Sequence, residues 1–377
     1  MAKRPHGLSF GLPRMHKERG ERRDFLPPLV GRLADQGAEV YVERGIGSGM
    51  GFRDQDYTDL SPLVHLASNE EAFRADVVLV LRCPDESEFL KLRPGSILFA
   101  MLHFPTRPKR VQLLRELGVE AISMDSITDD GGRRLVVDSR DVAWNGVEAA
   151  FDALEETWPD LREPSDGAVR VLVAGPGEIG KHAVEAATKL GNIERAARYA
   201  REGRRGVEVL VVGRNLTANE RHMRGCFGGT DVLVDATQRD DPSTPLIPNA
   251  WIADLPPHAV ICDLVVDPYL LDEDPPTVRS IEGIPQGNLD QWIFMPDDPA
   301  WDLLPVGVPS EHRRAVASCY SWPGVHPLPC MELYGAQLAP LLEALIRAGG
   351  MDGLHPEGSY HERALHRASL RAWVGAG

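Results

Sequence analysis

The sequence of 377 residues contains no run of about 18 apolar residues, the length that a membrane-spanning helix requires. Its basic start, Met1 to His6, is not followed by the apolar core of a secretory signal peptide. There are 41 basic against 56 acidic residues, and the resulting net charge of −15 opposes attraction to nucleic acid or anionic membranes. We therefore expect a cytoplasmic protein with a small-molecule partner, no nucleic acid and no membrane.

The chain also lacks the cysteine and histidine patterns of disulfide frameworks and metal sites. Its 5 cysteines are odd in number and show no CxxC spacing. The 12 histidines are scattered, and neither an HExxH motif nor a Cys/His cluster occurs. The sequence therefore predicts reduced thiols and no metal site.

What the chain does contain is an alternation of predicted strands and helices that is typical of an α/β protein. With 43% hydrophobic residues, it is long enough for two domains, each with its own core. Apolar residues at helical spacing predict one long helix from Asp141 to Trp158, and a linker rich in proline and glycine follows it. The domain boundary is expected near Ala150. The proline-rich stretch 274–309 is predicted to be an irregular lid, binding loop or oligomer arm, and the tail from Met351 to be peripheral.

A glycine motif at the end of a strand predicts a binding site for a dinucleotide. The apolar run from Val169 ends in Gly175, Gly177 and Gly180, and a helix is predicted from Lys181. In such a turn the first glycine allows the bend, the second admits the phosphates and the third lets helix and strand pack closely. Two further residues of the same turn, expected to contact the cofactor, are Glu178 and Ile179. The alternative is a purely structural strand-to-helix turn.

The next strand of this predicted domain, Val207 to Val212, indicates which dinucleotide is bound. NAD sites usually carry an acidic residue at this strand end for the ribose hydroxyl, whereas NADP sites use an arginine for the phosphate. Here the strand is followed by Gly213, Arg214 and Asn215, without an acid. We therefore predict a preference for NADP, with Arg214 as the phosphate ligand and Thr237, after the following strand, as a further cofactor contact. The alternative is a surface arginine and either cofactor.

Two polar residues end apolar strands in the first part of the chain. Arg82 follows the run from Ala75, and His103 follows the run from Ser96. Ligands of open α/β sheets bind at the carboxyl ends of the strands, so these two side chains are expected to converge on one pocket. The alternative for His103 is a structural histidine.

Four motifs in this order give the chain a family resemblance over roughly residues 11–349. They are residues 11–23 (GLPRMHKERGERR), the glycine loop 42–52 (VERGIGSGMGF), and the strands 75–84 (ADVVLVLRCP) and 97–103 (ILFAMLH). The chain resembles the superfamily of alanine dehydrogenase and the pyridine-nucleotide transhydrogenase alpha subunit, which is related to saccharopine dehydrogenase.

The resemblance implies two Rossmann-like domains, with the dinucleotide-binding domain inserted into a split substrate domain and the active site between them. Residues 1–150 would form the first part of the substrate domain and residues 151–312 the NAD(P)-binding domain. Residues 313–377 would return the chain to the substrate domain. A homo-oligomer is expected by the same resemblance.

The resemblance also implies roles for single residues. Arg22 falls where the family keeps the arginine that holds the substrate carboxylate, His103 falls on the catalytic histidine, and Asp267 falls on the aspartate near nicotinamide and substrate. Arg82 stands where the family usually has a lysine. Because arginine keeps its proton near neutral pH, Arg82 is expected to bind a carboxylate rather than act as a base.

The function implied is hydride transfer between a nicotinamide cofactor and an imine, 2-oxo acid or amino acid. One alternative is a saccharopine-like or carboxyalkyl-amino-acid-forming reductase that uses an amino acid as amine donor. Its larger pocket would be lined by Gln286, Asn288, Asp290 and Trp292. Another is a non-catalytic nucleotide-binding sensor, which the arginine at position 82 favours slightly and the joint presence of Arg22, His103 and Asp267 disfavours.

Overall fold

The computed structural model describes residues 7–15, 19–165, 167–238 and 244–375. The chain forms two compact units: unit 1 comprises Met1–Asp138 and His326–Gly377, and unit 2 comprises Ser139–Val325. Each unit has its own sheet. This is the predicted fold class, an α/β chain with two Rossmann-like domains of which one is inserted into the other, and it is confirmed. The domain boundaries at residues 150 and 312 remain predictions. Residues 16–18 of the first family motif lie outside the described residues.

The strands and helices follow in chain order. The first part of unit 1 contains β1 (Ser9–Leu12), α1 (Pro27–Asp35), β2 (Glu39–Glu43), α2 (Asp54–Thr58), β3 (Val64–Ala67), α3 (Asn69–Phe73), β4 (Val77–Arg82), α4 (Glu86–Phe89), β5 (Ile97–Met101), α5 (Pro108–Glu116) and β6 (Glu120–Ser123). Unit 2 contains α6 (Ser139–Thr157), β7 (Ala168–Ala174), α7 (Glu178–Ala187), α8 (Ile193–Arg201), β8 (Gly206–Val212), α9 (Arg214–Thr217), α10 (Glu220–Phe227), β9 (Val232–Asp235), α11 (Asn249–Ile252), β10 (Val260–Asp263), β11 (Ile293–Phe294) and β12 (Ala315–Ser318). The chain then returns to unit 1 with α12 (Pro327–Ala348), α13 (Tyr360–Arg367) and α14 (Leu370–Gly375).

The sheet of unit 1 has the order β3-β2-β1-β4-β5-β6, and the paired strands are parallel. Its central strand β4 reads Val-Val-Leu-Val-Leu before Arg82, and these five apolar residues are buried. A strand covered on both faces requires such a continuous apolar run. The strand order reverses between β1 and β4, so the carboxyl ends of these two strands flank the crevice where doubly wound sheets bind ligands.

The sheet of unit 2 has the order β11-β12-β10-β9-β7-β8 and is parallel except for β11, which is antiparallel to β12. The predicted long helix is confirmed as α6, which packs along α7, β10 and β12. Gly146 permits this packing, because a Cβ there would lie 2.2 Å from Leu264 Cδ2. The order reverses between β7 and β9, and the glycine turn therefore lies at the switch point of this sheet.

Two expectations drawn from the sequence need correction. The proline-rich stretch 274–309 contains the short strand β11 and a 3₁₀ turn at Pro299–Leu303, so it is not wholly irregular. The tail from Met351 is not peripheral, because α13 packs on α12 and α14 on β6, with Leu365 and Leu370 buried. Its apolar residues are too few and too dispersed along two short helices to show a periodic pattern.

The cysteines are all free, as expected: Cys83, Cys226, Cys262, Cys319 and Cys330. Of the helices among the described residues, none is long and apolar enough to cross a membrane.

Candidate active site

The glycine turn of unit 2 has the geometry that the motif predicts. Gly175 adopts φ +101°, which favours glycine, and a Cβ there would lie 2.6 Å from the carbonyl oxygen of Ala236. A Cβ on Gly180 would lie 1.8 Å from the carbonyl oxygen of Gly175, so only glycine lets α7 approach the strand. Above Gly177, by contrast, a Cβ would meet nothing within 4 Å. The turn therefore leaves open space at the N-terminus of α7, where backbone N–H groups attract an anion.

A cleft of about 670 Å³ opens at this turn. It is lined by Gly175, Pro176, Gly177, Arg214, Thr217, Ala218, Thr237, Gln238, Thr244, Pro245, Leu246 and Trp251. Its volume lies within the usual range of cofactor sites, and it combines apolar walls with a few polar groups. Among the described lining residues there is one cation and no acid. The open space at Gly177 and this lining together fit a dinucleotide.

The other predicted cofactor residues lie in or beside this cleft. Gly213 precedes α9, and Arg214 and Asn215 begin that helix with exposed side chains. The guanidinium of Arg214 donates to the carbonyl oxygen of Gln238 at 3.3 Å, and both residues line the cleft. Glu178 is exposed beside Lys181, whereas Ile179 packs on the core of unit 2.

Two buried carboxyl groups hold the turns that follow β9 and β10. The N–H and the hydroxyl of Thr237 donate to Asp235 Oδ1 at 3.0 and 2.5 Å. The N–H groups of Val265 and Val266 donate to Asp263 Oδ1 at 3.0 and 2.9 Å, before the chain reaches Asp267. The pair went unnoticed in the sequence, although both strands end in aspartate.

Asp267 is half-buried in unit 2, four residues after β10. Its carbonyl oxygen accepts a hydrogen bond from Gln286 Nε2 at 2.5 Å. The hydroxyl of Tyr320 donates to the Oε1 of the same amide. The segment 274–309 thus reaches the turn that carries Asp267.

In unit 1, Arg82 and His103 lie at the carboxyl edge of the sheet, as predicted. Arg82 ends β4 and pairs with Met101 of β5, beyond a register shift. His103 follows two residues later with an exposed imidazole and a left-handed backbone, φ 51° and ψ 49°. Such a conformation is uncommon for a residue other than glycine and costs about 1–2 kcal/mol.

Asp125 holds His103 in place, and sequence reasoning missed it. Asp125 Oδ1 accepts from the N–H of His103 at 3.1 Å and from the hydroxyl of Ser123 at 2.7 Å, while Oδ2 lies 3.4 Å from His103 Nδ1. Burial acts to raise the pKa of Asp125, but the hydrogen bonds and charge of His103, with the Ser123 hydroxyl, outweigh it and lower that pKa. The sequence does contain a signal for this residue, because Asp125 is an acidic residue that follows the short strand β6.

The charged residues of the first motif divide between surface and core. Arg22 is exposed, whereas Arg23 is buried and its Nη2 lies 2.6 Å from Glu21 Oε2. Burial acts to raise the pKa of Glu21, but Arg23 and, more weakly, Arg82 lower it. The Glu21–Arg23 pair therefore lies within electrostatic reach of Arg82. No single-residue signal in the sequence distinguishes the buried arginine from its neighbour.

The glycine loop 45–51 packs beside this motif. The N–H of Gly45 donates to Asp54 Oδ1 at 2.7 Å, and that of Gly47 to Asp24 Oδ2 at 2.9 Å. A Cβ on Gly49 would lie 3.0 Å from the Cβ of Arg22. The loop and the Arg22 backbone therefore form one surface of unit 1. Within the described parts of both units, no group of three or more His, Cys, Asp or Glu residues is arranged to hold a metal ion.

Comparisons with known proteins agree with these features. Residues 11–139 match the family model for the alanine dehydrogenase/PNT N-terminal domain. The alanine dehydrogenase of Geobacillus stearothermophilus is 25% identical over 274 residues, which cover 69% of this chain and 72% of that protein. The alanine dehydrogenase of Bacillus subtilis (strain 168) is 23% identical over 269 residues, 69% of this chain and 71% of that protein.

Two solved structures share the fold. An L-alanine dehydrogenase superposes with a TM-score of 0.67 at 19% identity and covers 96% of this chain and 94% of its own. A transhydrogenase from Sinorhizobium meliloti superposes with a TM-score of 0.62 at 18% identity and covers 95% of this chain and 97% of its own.

The two doubly wound sheets and the glycine turn define a fold of the nucleotide-binding α/β class. In sequence the chain is similar to alanine dehydrogenases, and its residues 11–139 match the N-terminal domain of the alanine dehydrogenase/PNT family. The resemblance read from the sequence motifs is thereby confirmed.

Proposed function

We propose that this chain catalyses reversible hydride transfer between a nicotinamide dinucleotide and an amino acid or its imine or 2-oxo acid. The observation that carries this proposal is the cleft at the Gly175–Gly180 turn, with its open space at Gly177. The cofactor, when bound, supplies or accepts the hydride. The alanine dehydrogenases that this chain resembles support an amino acid as substrate.

The cleft residues favour NADP over NAD. The backbone N–H groups at the N-terminus of α7 bind the pyrophosphate, and the Arg214 guanidinium in the cleft binds the ribose phosphate. A ribose hydroxyl needs an acceptor instead, and the described lining carries no acid for it. Thr237, fixed by Asp235, contributes a further contact in the same cleft.

Arginines of unit 1 bind the substrate carboxylate. Arg82 presents a permanent cation at the crevice of the sheet, and the family motif adds Arg22. The buried Arg23 is paired with Glu21, whose carboxylate lies within electrostatic reach of Arg82. A bidentate grip on the carboxylate fixes the position of the reacting carbon and lowers the entropic barrier to the reaction.

His103 exchanges the proton that accompanies hydride transfer. Asp125 faces its Nδ1, which leaves Nε2 for the amino, carbinolamine or carbonyl group of the substrate. Asp267 orients water or ammonium, or polarises the reacting group. These roles of His103, Asp267 and the two arginines Arg22 and Arg82 extend the family pattern to this chain residue by residue.

A second candidate is a saccharopine-like reductase, which takes a larger amino acid as amine donor. Two contacts favour it: Gln286, within the segment 274–309, donates to the carbonyl oxygen of Asp267 and accepts from the hydroxyl of Tyr320. The third candidate, a nucleotide-binding sensor, predicts tight cofactor binding without turnover. We further propose that the protein is a homo-oligomer, on the family resemblance alone.

The test incubates the purified protein with NADPH or NADH and a panel of 2-oxo acids. Oxidation of the cofactor is measured by its absorbance. Each acid is offered with ammonia or with an amino acid. Turnover with ammonia supports the alanine dehydrogenase-like function, and a requirement for an amino acid supports the second candidate. His103→Ala should abolish turnover, whereas His355→Ala, at an exposed histidine of unit 1, should leave it unchanged. Tight binding without turnover of any pair would overturn both enzyme proposals.

A further inference from the structure

The outer edge of β6 in unit 1 is occupied by the segment that leads into α14. β6 is the last strand of its sheet, and edge strands expose unpaired backbone groups. Here the N–H of Ser123 donates to the carbonyl oxygen of Ala368 at 2.9 Å, and Ile122 forms an antiparallel bridge with Ser369. Arg371 adds an ion pair with Glu120 at 2.7 Å. The segment 368–373 is therefore anchored along the whole of β6.

Ser123 connects this segment to the turn that carries His103. Its backbone N–H binds Ala368, while its hydroxyl accepts from the N–H of Leu102 at 3.2 Å and donates to Asp125. Asp125 in turn accepts from the N–H of His103. One serine thus links the backbone of the returning segment to both sides of the histidine turn.

Trp373 reaches the same turn from α14. Its ring centroid lies 6.3 Å from that of Phe104, the residue after His103, with the rings tilted by 38°. This distance is within the range of favourable aromatic pairs. Phe104 is 2% exposed, whereas Trp373 is 43% exposed. The indole of Trp373 therefore covers Phe104, which anchors the turn in the core of unit 1.

The backbone of His103 needs such support on both sides. A non-glycine residue in the left-handed region persists only where its surroundings hold it there. Asp125 restrains the N–H of His103, and the Phe104–Trp373 contact restrains the residue that follows. Loss of either restraint would let the imidazole move away from its productive position.

We propose that Trp373 is a positioning residue for His103, and that the segment 368–373 fixes the histidine turn of unit 1. This inference rests on the proposed function, because it assigns His103 the proton transfer. It adds a residue outside the four motifs and the glycine turn to those that determine the rate.

The test compares Trp373→Ala with Trp373→Phe. Because misplacement of a reacting group by about 1 Å slows a reaction strongly, the alanine variant should lose about tenfold in kcat. Its KM for the nicotinamide cofactor should stay unchanged, since the cleft of unit 2 is untouched. Trp373→Phe keeps an aromatic ring on Phe104 and should recover most of the rate.

Hydrogen–deuterium exchange gives a second readout that does not need turnover. Residues 102–106 should exchange faster in Trp373→Ala, while the strands β1 and β4 keep their protection. The matched control is Tyr360→Ala on α13, an aromatic residue that is 41% exposed and contacts the ring of His361. It should alter neither kcat nor exchange at residues 102–106.

Equal behaviour of Trp373→Ala and Tyr360→Ala in rate and exchange would overturn the inference. If the wild-type protein turns over no substrate, the proposed function fails. Faster exchange at residues 102–106 in Trp373→Ala would even then establish the support of the turn, and unchanged exchange would refute it. The two failures are therefore distinguishable.

Discussion

Asp235 and Asp263 occupy paired positions at the carboxyl ends of the neighbouring strands β9 and β10, and both side chains are fully buried. Burial, together with the charge of Asp235, raises the pKa of Asp263 to about 7. Two carboxylates this close in an apolar interior cannot both ionise readily. Below that pH the pair therefore holds a proton, and each member still accepts hydrogen bonds from the turn that follows its strand.

This pair predicts a pH dependence of stability. An unfolded aspartate titrates near pH ~3.9. Because the folded pKa of Asp263 is higher, its stabilising contribution is fully present below about pH 4 and is lost as the pH rises through about 7. Asp263→Asn remains neutral and still offers an oxygen to Val265 and Val266. Urea unfolding across this range should therefore show the variant gaining stability relative to wild type with rising pH. The exposed control Asp160→Asn should show no such trend. If the stability of Asp263→Asn and of wild type changed in parallel with pH, the shared proton would be contradicted.

Arg214→Ala is predicted to reverse the cofactor preference. Loss of a charged hydrogen bond to the ribose phosphate should weaken NADPH binding by about 10- to 100-fold and leave NADH binding nearly unchanged. Titration calorimetry with both cofactors measures this ratio. The exposed arginine Arg221 on α10 provides the matched control as Arg221→Ala. If Arg214→Ala weakened the binding of NADPH and of NADH equally, Arg214 would not bind the ribose phosphate.

The glycines of the turn should respond differently to the same substitution. Gly180→Ala places a methyl group 1.8 Å from the Gly175 carbonyl oxygen, so the turn must distort and stability should fall by about 2 kcal/mol or more. Gly177→Ala points into open space, so it should unfold like wild type and yet bind the dinucleotide about tenfold more weakly. Gly225→Ala on α10, with nothing within 4 Å, is the neutral control. If Gly177→Ala bound the dinucleotide as tightly as wild type, the pyrophosphate would not bind at this turn.

The two adjacent arginines of the first motif can be separated by stability and KM. Arg23→Ala removes the buried partner of Glu21 and should cost about 3–5 kcal/mol in the free energy of unfolding. Arg22→Ala, at an exposed position, should cost less than about 0.5 kcal/mol. If Arg22 binds the substrate carboxylate, its alanine variant raises the KM for the 2-oxo acid severalfold. An unchanged KM would leave that role to Arg82.

Asp125→Asn keeps an acceptor for the N–H of His103 but loses the charge that faces the imidazole. We expect kcat to fall about tenfold, because the imidazole loses the anionic partner that orients it for proton transfer. The lowered pKa of Asp125 also means that its stabilising contribution is present above the unfolded value of ~3.9 and is lost as the pH falls. Rate measurements over pH, with Asp160→Asn as control, test this. A wild-type rate profile would exclude Asp125 from the reaction.

The parts of this molecule that follow from local sequence were predictable. The turn at Gly175–Gly180 depends on glycine positions within one strand and one helix, and Arg82 and His103 were located by the ends of apolar strands. Asp125, Glu21 and Arg23 were missed or misjudged because their roles depend on partners from other elements, such as the contact of Asp125 with His103. The tail was misjudged for the same reason, since β6 and Phe104 determine its place.

The insertion of unit 2 within unit 1 has a consequence for how the chain acquires its structure during synthesis. Helix α1 packs against α12, which follows it by some three hundred residues, so the core of unit 1 must wait for nearly the whole polypeptide. Unit 2 is continuous in sequence and is complete at Val325. On the ribosome unit 2 can therefore fold first, while the first 138 residues complete their core only after the last helices of unit 1 emerge.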